Sequence, residues 1–291
     1  IDNAYDLSNV NTDDVTIGDE DSEYRLPLAT VYVSMSELNE GGADIKTLFD
    51  EADIWLPSPL PGNAAYVDLR ELQNTPETIT PLLDALIDQM MDDDAKITAV
   101  ADLLAEKYLS TFLPLLPPNT DPADFKPVFI EAFRNMPMLH DRLSGEVKSL
   151  AGSYLTELKV QDVTYDIGKI DIGGDVVDML CENLDSEGTP NPKNTLHLYG
   201  SITSALPVSL RLVPYFSPTN VRFDVTVEPG KTNEIRETQL FESDLRQIIE
   251  GAEIILPVSL EKYYPGYDFT SDQQIVITLR LIKRGGLKLN L

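Results

Sequence analysis

The sequence is poor in the side chains that most often carry covalent or metal chemistry. Its 291 residues include one cysteine, two histidines and one tryptophan. A single cysteine excludes an internal disulfide bond and a metal site built from several cysteines. In the segment DVVDMLCENL, Cys181 shares a helical face with four apolar residues, so we expect a small core residue rather than a nucleophile.

Familiar catalytic motifs are missing as well. The sequence has no G-x-S-x-G nucleophile elbow, no C-x-x-C pair and no glycine-rich phosphate loop. His140 stands beside Asp141, and His197 alternates with leucines, so we expect a structural role for both histidines. Carboxylates are so frequent here that no pair of them indicates a glycosidase by itself. We therefore predict a non-enzymatic protein without a cofactor.

Positive charge is scarce. Lysine and arginine number 22 against 49 aspartate and glutamate residues, which gives a net charge of −27 at pH 7. Such a charge repels nucleic acid and anionic lipid headgroups, so we expect no nucleic-acid partner. No apolar run approaches the ~18–20 residues that a membrane-spanning helix needs.

The periodicity of the apolar residues indicates an α+β protein with three segments. Residues 1–74 alternate as short strands and are expected to pack on a C-terminal sheet. Residues 75–155 carry helical stripes, the clearest of which runs from Ile79 to Met90. Residues 156–291 return to strand patterns and predict an antiparallel β-sandwich or curved sheet.

The pentapeptide LPVSL occurs twice, at Leu206–Leu210 and Leu256–Leu260. Each copy is followed by a turn containing proline and tyrosine, and then by an alternating strand. Proline at a strand start is tolerated where no ladder N–H is needed. The shared order predicts a duplicated hairpin, with the two copies at equivalent positions of one β-domain.

Aromatic side chains are the best candidates for ligand contact. Three tyrosines surround the Pro265-Gly266 turn in KYYPGYDF, namely Tyr263, Tyr264 and Tyr267. A tyrosine offers an apolar face and a polar tip, so exposed tyrosines at a turn could stack on a sugar or grip a peptide. Trp55 is the fourth candidate. The alternative is that some of these rings pack as core at the ends of strands.

Acidic residues near the start form the candidate metal site. Asp13, Asp14, Asp19 and Asp21, with Glu20 among them, offer oxygen ligands of the kind that Ca²⁺ prefers. Their spacing is not that of an EF-hand, and a solvated acidic loop is the alternative.

Segments at the two ends of the chain carry a family resemblance. The first reads YDLSNVNTDDVTIG and LPLATVYVSMSEL, and the last reads ITSALPVSLRLVPYF, LRQIIEGAEIIL and QQIVITLRLIKRGGLKLNL. Together they resemble a group of exported Bacteroides-type cell-surface lipoproteins of unknown function. The resemblance implies a signal peptide and a lipidated cysteine upstream of Ile1, a periplasmic or outer-surface location, and membrane contact only through that lipid anchor. The start at isoleucine rather than methionine is what a processed chain would show.

Three functions remain open at this stage. The first is a non-enzymatic, surface-anchored protein that binds an unknown ligand or protein partner, or serves a structural role. The second is a carrier of lipid or another apolar ligand. This hypothesis follows from a resemblance of the helix and sheet pattern to tubular lipid-binding proteins of the bactericidal/permeability-increasing type. A protein of this kind would have a continuous cavity lined by the helical stripes. The third is a glycan-binding or glycan-processing protein, which would show two carboxylates in an open cleft near aromatic rings.

Overall fold

A computed structural model describes residues 15–39 and 44–289, and it confirms the α+β class. Strands lie towards both ends of the chain, and most of the helices lie between them. The strands of the described residues are β1 (Val15–Ile17), β2 (Glu23–Ser34), β3 (Val67–Asp68), β4 (Val163–Asp166), β5 (Thr195–Ser204), β6 (Val208–Leu212), β7 (Tyr215–Ser217), β8 (Val225–Val227), β9 (Thr232–Leu240), β10 (Glu253–Leu256), β11 (Val258–Tyr263), β12 (Gln274–Arg284) and β13 (Leu287–Leu289).

Most of the helices pack on one another as a helical layer between the early and late strands, together with a few short 3₁₀ turns, and the last two described helices lie among the late strands. The helices of the described residues are α1 (Ile45–Trp55), α2 (Leu69–Asn74), α3 (Thr80–Asp92), α4 (Asp94–Lys107), α5 (Leu109–Phe112), α6 (Phe125–Asn135), α7 (Pro137–Glu157), α8 (Gly174–Cys181) and α9 (Glu242–Glu250). A search of this described part of the chain finds no helix whose length and apolarity would let it cross a membrane.

The apolar stripe predicted on α3 is buried. Helix α3 packs against α4 and α7, and α6 packs against the same two helices. Asp93 ends α3 and caps α4, because its carboxylate accepts the N–H groups of Ala95 (2.8 Å) and Lys96 (3.4 Å). The acidic residues Asp93 and Asp94 therefore begin the second helix, where the helix dipole favours negative charge. The buried residues of the stripe are Ile79, Leu83, Leu86, Ile87 and Met90.

Two four-stranded antiparallel sheets hold most of the strands. One has the order β2–β12–β5–β9, and the other has the order β3–β11–β6–β8. Strand β2 pairs with β12 from Glu23 opposite Arg284 to Ser34 opposite Gln274, so N-terminal residues complete a C-terminal sheet. Smaller sheets join β4, β10 and β7, and β1 with β13.

The two LPVSL copies lie next to each other. Their last three residues lie in β6 and β11, which pair antiparallel with Leu210 opposite Leu260, so their place in one β-structure is confirmed. The prediction of two equivalent hairpins is wrong. Strand β6 pairs with its downstream neighbour β8, whereas β12, which follows β11, pairs with β2 and β5. Strand β11 has β3 and β6 on its two edges, so neither edge is left for β12.

The three predicted segments share buried surface. Apolar residues from 1–74, 75–155 and 156–291 belong to one hydrophobic cluster, in which Phe49 of α1 stacks on Tyr263 and Phe269. The boundaries of the three segments, after residues 74 and 155, stay a prediction.

Candidate ligand-binding cleft

A cleft of about 470 Å³ opens beside the end of β11. Its walls come from the connection between β5 and β6, the turn between β8 and β9, and the turn after β11. We call it the Tyr264 cleft. Its lining includes Pro207, Glu228, Lys231, Tyr264, Tyr267, Asp268 and Gln273.

Two glycine turns shape the walls of the cleft. Gly266 follows Pro265 with a φ of 78°, and Gly230 follows Pro229 with a φ of 65°. Residues with a side chain rarely adopt this left-handed backbone conformation, so glycine is the residue that suits both turns. The Gly230 N–H donates to the carbonyl of Ser204 at 2.9 Å, which fixes the second turn to the end of β5.

Glu228 anchors one side of the cleft. Its carboxylate accepts a hydrogen bond from the Lys262 ammonium and another from the Tyr264 hydroxyl, each at 3.1 Å. The bond from Lys262 is the main reason why the pKa of Glu228 lies below its usual value, and the bond from Tyr264 adds to it. Glu228 is therefore a carboxylate at neutral pH, and it holds the Tyr264 ring in place.

Tyr66 extends this arrangement beyond the cleft. The rings of Tyr66 and Tyr264 lie 5.5 Å apart between centroids, with a 51° angle between their planes. The Lys262 ammonium lies 4.9 Å from the centroid of the Tyr66 ring, within the range of a cation–π contact. One lysine thus contacts both Glu228 and Tyr66.

The open rim carries Tyr267 and several polar groups. The side chain of Tyr267 is 63% exposed, although it follows a rigid turn. The Gln273 side chain accepts the Thr270 N–H and donates to the Asp268 carbonyl, both at 3.2 Å, which closes the loop that carries Asp268. Glu228 and Asp268 thus both line an open cleft that also has tyrosine walls.

Two of the four predicted aromatic contacts are wrong. Tyr263 and Trp55 are 0% exposed, so neither ring reaches a ligand at the surface. Tyr263 is the last residue of β11, and the bulge between Leu260 and Lys262 turns it inward, where its hydroxyl donates to the carbonyl of Phe49 at 3.2 Å. The Trp55 indole lies on the buried face of α1 and donates to Glu51 at 3.3 Å.

The sequence pattern missed several lining residues. The segment VEPG ahead of Lys231 signals a turn, and that signal could have drawn attention to Glu228. Tyr66 has no comparable signal, because its place beside Tyr264 depends on the pairing of β3 with β11.

The histidines and the cysteine behave as structural residues. His140 bonds through its ring nitrogens to the Phe133 carbonyl (2.7 Å) and to the Ser144 hydroxyl (3.3 Å). Burial is the main cause that lowers the pKa of His197, so this ring is neutral at pH 7. Cys181 is buried, as predicted, and burial raises the pKa of its thiol to about 11. A thiol with this pKa is a poor nucleophile.

The acidic candidates for a metal site lie at the start of the chain. Asp13 and Asp14 fall outside the described residues. Asp19 accepts the Asp21 N–H at 3.1 Å and the Ser22 hydroxyl at 2.9 Å, which is the bonding of a tight turn. Across residues 15–39 and 44–289, no group of three histidine, cysteine or acidic side chains is placed to hold a metal ion.

A larger cleft of about 700 Å³ lies at the end of α7, beside the helical layer. Gln73, Tyr154, Thr156 and Glu157 are among its lining residues, so its walls carry many polar groups. The buried residues of the stripe on α3 pack in the hydrophobic core rather than along a cavity. This arrangement differs from the continuous apolar cavity expected of a lipid carrier.

Comparisons with known proteins give little further information. No protein-family model matches the chain, and no curated protein matches it. Among solved structures, a protein from Parabacteroides distasonis ATCC 8503 that is assigned as secreted is similar to part of this chain. The match covers 43% of this chain and 38% of that protein. The sequence identity is 18% and the TM-score is 0.31, so this similarity does not define a family or a function for the chain.

Proposed function

We propose that this protein is an exported, non-enzymatic binding protein that takes its ligand in the Tyr264 cleft. The observation that carries the proposal is a concave surface lined by two tyrosines and several polar groups. Tyr267 is exposed there, and Tyr264 is held by a hydrogen bond to Glu228. Ligand sites combine apolar and aromatic walls with a few oriented polar groups in this way.

The cleft is organised before any ligand arrives. Glu228 and Lys262 hold the Tyr264 ring, and Tyr267 follows the Pro265-Gly266 turn on the lining of the cleft. A side chain that is already ordered loses less conformational entropy when a ligand binds. This rigidity supports binding by stacking and hydrogen bonding.

The ionisation of Glu228 fits a hydrogen-bond acceptor in a binding site, and it would equally fit the ionised partner of a glycosidase pair. A glycosidase needs one carboxylic acid whose pKa is raised, so that it can protonate the leaving group. The pKa of Glu228 is lowered, which suits an acceptor of hydrogen bonds. Glycan processing remains the second candidate, because Glu228 and Asp268 line the same cleft beside tyrosines.

Export and a lipid anchor are part of the proposal. They are supported by the resemblance of the two ends of the chain to exported Bacteroides-type lipoproteins. The net charge of −27 supports the exclusion of nucleic acid as a partner. A protein partner at the cleft is compatible with the same features.

A ligand screen with a double variant and a control variant tests this function. Glycans, peptides and lipids are titrated against the parent protein, Tyr264→Ala/Tyr267→Ala, and the control Tyr32→Ala, whose residue is 55% exposed on β2. We expect one ligand to bind the cleft variant at least about tenfold more weakly than it binds the parent, and to bind the control as tightly as the parent. The reason is that aromatic contacts are typical binding hot spots.

Either of two results would contradict the proposal. The first is a ligand that binds the parent and the cleft variant equally well. The second is turnover of a bound glycan, which would favour the glycan-processing candidate instead. Thermal unfolding of each variant checks that the substitutions leave the fold intact.

A further inference from the structure

We infer that the ligand is a neutral oligosaccharide chain that passes from the Tyr264 cleft across Tyr66 into a second cleft. The inference rests on the proposed function and specifies its ligand class. It starts from the way in which two strands bring two tyrosines together.

The Tyr66–Tyr264 ring pair follows from strand pairing. In the β3–β11 pair, Val67 lies opposite Tyr263, and both are buried. The next residues along the two antiparallel strands are Tyr66 and Tyr264, and alternation turns them to the opposite face. Tyr66 is 40% exposed there, so the ring pair forms an outward-facing platform.

A second cleft lies beside Tyr66. It measures about 160 Å³, and Tyr66 is one of its walls. Pro61, Ala64, Thr78 and Pro81 also line it, so it lies against the start of the helical layer. Tyr264 lines the first cleft and contacts Tyr66 of the second, so the walls of the two clefts meet at this ring pair.

The chemistry of both clefts fits a sugar chain. A pyranose ring has apolar C–H faces that stack on tyrosine, and hydroxyl groups that bond to carboxylates and ammonium groups. The walls of the clefts offer Glu228, Lys231, Asp268 and Glu71 among aromatic rings and prolines. An acyl chain would cover these polar groups without offering them hydrogen bonds, which is unfavourable. The negative charge of the protein disfavours acidic polysaccharides.

The test measures how affinity depends on chain length. Cello-, malto- and chito-oligosaccharides, from disaccharide to hexasaccharide, are titrated calorimetrically into the parent and into Tyr66→Ala, Tyr66→Phe, Tyr267→Ala and the control Tyr32→Ala. Tyr32 is a suitable control because it is 55% exposed and lies on β2. A proline-rich decapeptide is titrated as the alternative extended ligand.

We expect one sugar series to bind the parent at least about tenfold more tightly as hexasaccharide than as disaccharide, because the longer chain reaches both clefts. Tyr66→Ala should weaken hexasaccharide binding about fivefold or more and change disaccharide binding less than about twofold. Tyr66→Phe should keep the affinity of the parent, since stacking needs the ring and not the hydroxyl. Tyr267→Ala should weaken both lengths.

The contradicting results separate this inference from the proposed function. Affinity independent of chain length, or equal losses for both lengths in Tyr66→Ala, would overturn the extended site. Binding of the peptide alone at the Tyr264 cleft would overturn the sugar and leave the proposed function standing. Binding that is equal in the parent, Tyr66→Ala and Tyr267→Ala would overturn both.

Discussion

At the scale of single residues, Lys96 is a buried cation that serves the end of a helix. Its ammonium donates to the carbonyls of Asp53 (3.0 Å) and Leu56 (2.5 Å), where α1 ends. The negative end of the helix dipole favours a cation at this position. Burial affects the pKa of Lys96 more than the nearby negative charges do, and the pKa falls to about 8.

This pKa predicts a dependence of stability on pH. The ordinary pKa of lysine is 10.5 and the folded value is about 8, so between these pH values the unfolded chain binds a proton that the folded chain does not. The free energy of unfolding therefore rises with pH in this window, and the contribution is lost as pH falls through 8. Relative to Lys96→Met, the parent should gain about 2–3 kcal/mol from pH 8 to pH 10.5 in urea unfolding.

Lys126 provides a matched control for this measurement. It is an exposed lysine paired with Asp102 at 2.6 Å. Lys126→Met should change stability by less than about 1 kcal/mol, because exposed ion pairs contribute little. Parallel pH profiles for the parent and Lys96→Met would contradict the assignment of Lys96 as the titrating group.

Tyr263 and Tyr264 show what sequence reasoning could not resolve at this scale. The motif KYYPGYDF marks a turn with tyrosines around it, and that much is correct. Which of two adjacent tyrosines faces the core depends on the residue at which β11 ends and on its register. A bulge between Leu260 and Lys262 shifts that register by one position, so alternation counted from LPVSL assigns the wrong face.

At the scale of elements, the close approach of β5 and β12 depends on a glycine. A Cβ atom on Gly200 would lie 1.9 Å from the carbonyl oxygen of Thr278 on β12. The two strands pair over their full lengths, so neither can move aside locally. Gly200→Ala should therefore destabilise the protein by about 2–3 kcal/mol or more in chemical unfolding, since overpacking forces the backbone to shift.

Gly145 offers the opposite case within the same chain. It is exposed in the middle of α7, and no atom lies within 4 Å of an added Cβ. Gly145→Ala should stabilise the protein by about 0.5–1 kcal/mol, because alanine loses less entropy in a helix. Equal effects of the two substitutions would show that β5 and β12 are not packed as described.

The LPVSL strands show how far local pattern predicts elements. Alternation and proline placed both copies in strands of one β-structure, and that prediction is confirmed. The pattern could not specify which strand each copy pairs with, because both copies carry the same alternation. Pairing was decided by elements far away in sequence, since β3 occupies the other edge of β11.

At the scale of the whole molecule, the helical and strand periods together predicted the α+β class. The Tyr264 cleft was predicted only in part. Its walls come from Pro207, Glu228 and Tyr264, which lie in three separate connections of the chain. Hydrophobic periodicity describes neighbours in sequence, so it could indicate the tyrosine turn and not the two connections that complete the cleft.

Whether tyrosines of the Tyr264 cleft contact a ligand is the central claim of this account. Nuclear magnetic resonance of protein with ¹³C-labelled tyrosine rings, titrated in turn with cellohexaose, maltohexaose and chitohexaose, tests it most directly. With one of these sugars we expect the resonances of Tyr66, Tyr264 and Tyr267 to shift and that of Tyr32 to stay unchanged. Shifts confined to tyrosines other than Tyr66, Tyr264 and Tyr267, or no tyrosine shift with a sugar that calorimetry shows to bind, would contradict the account.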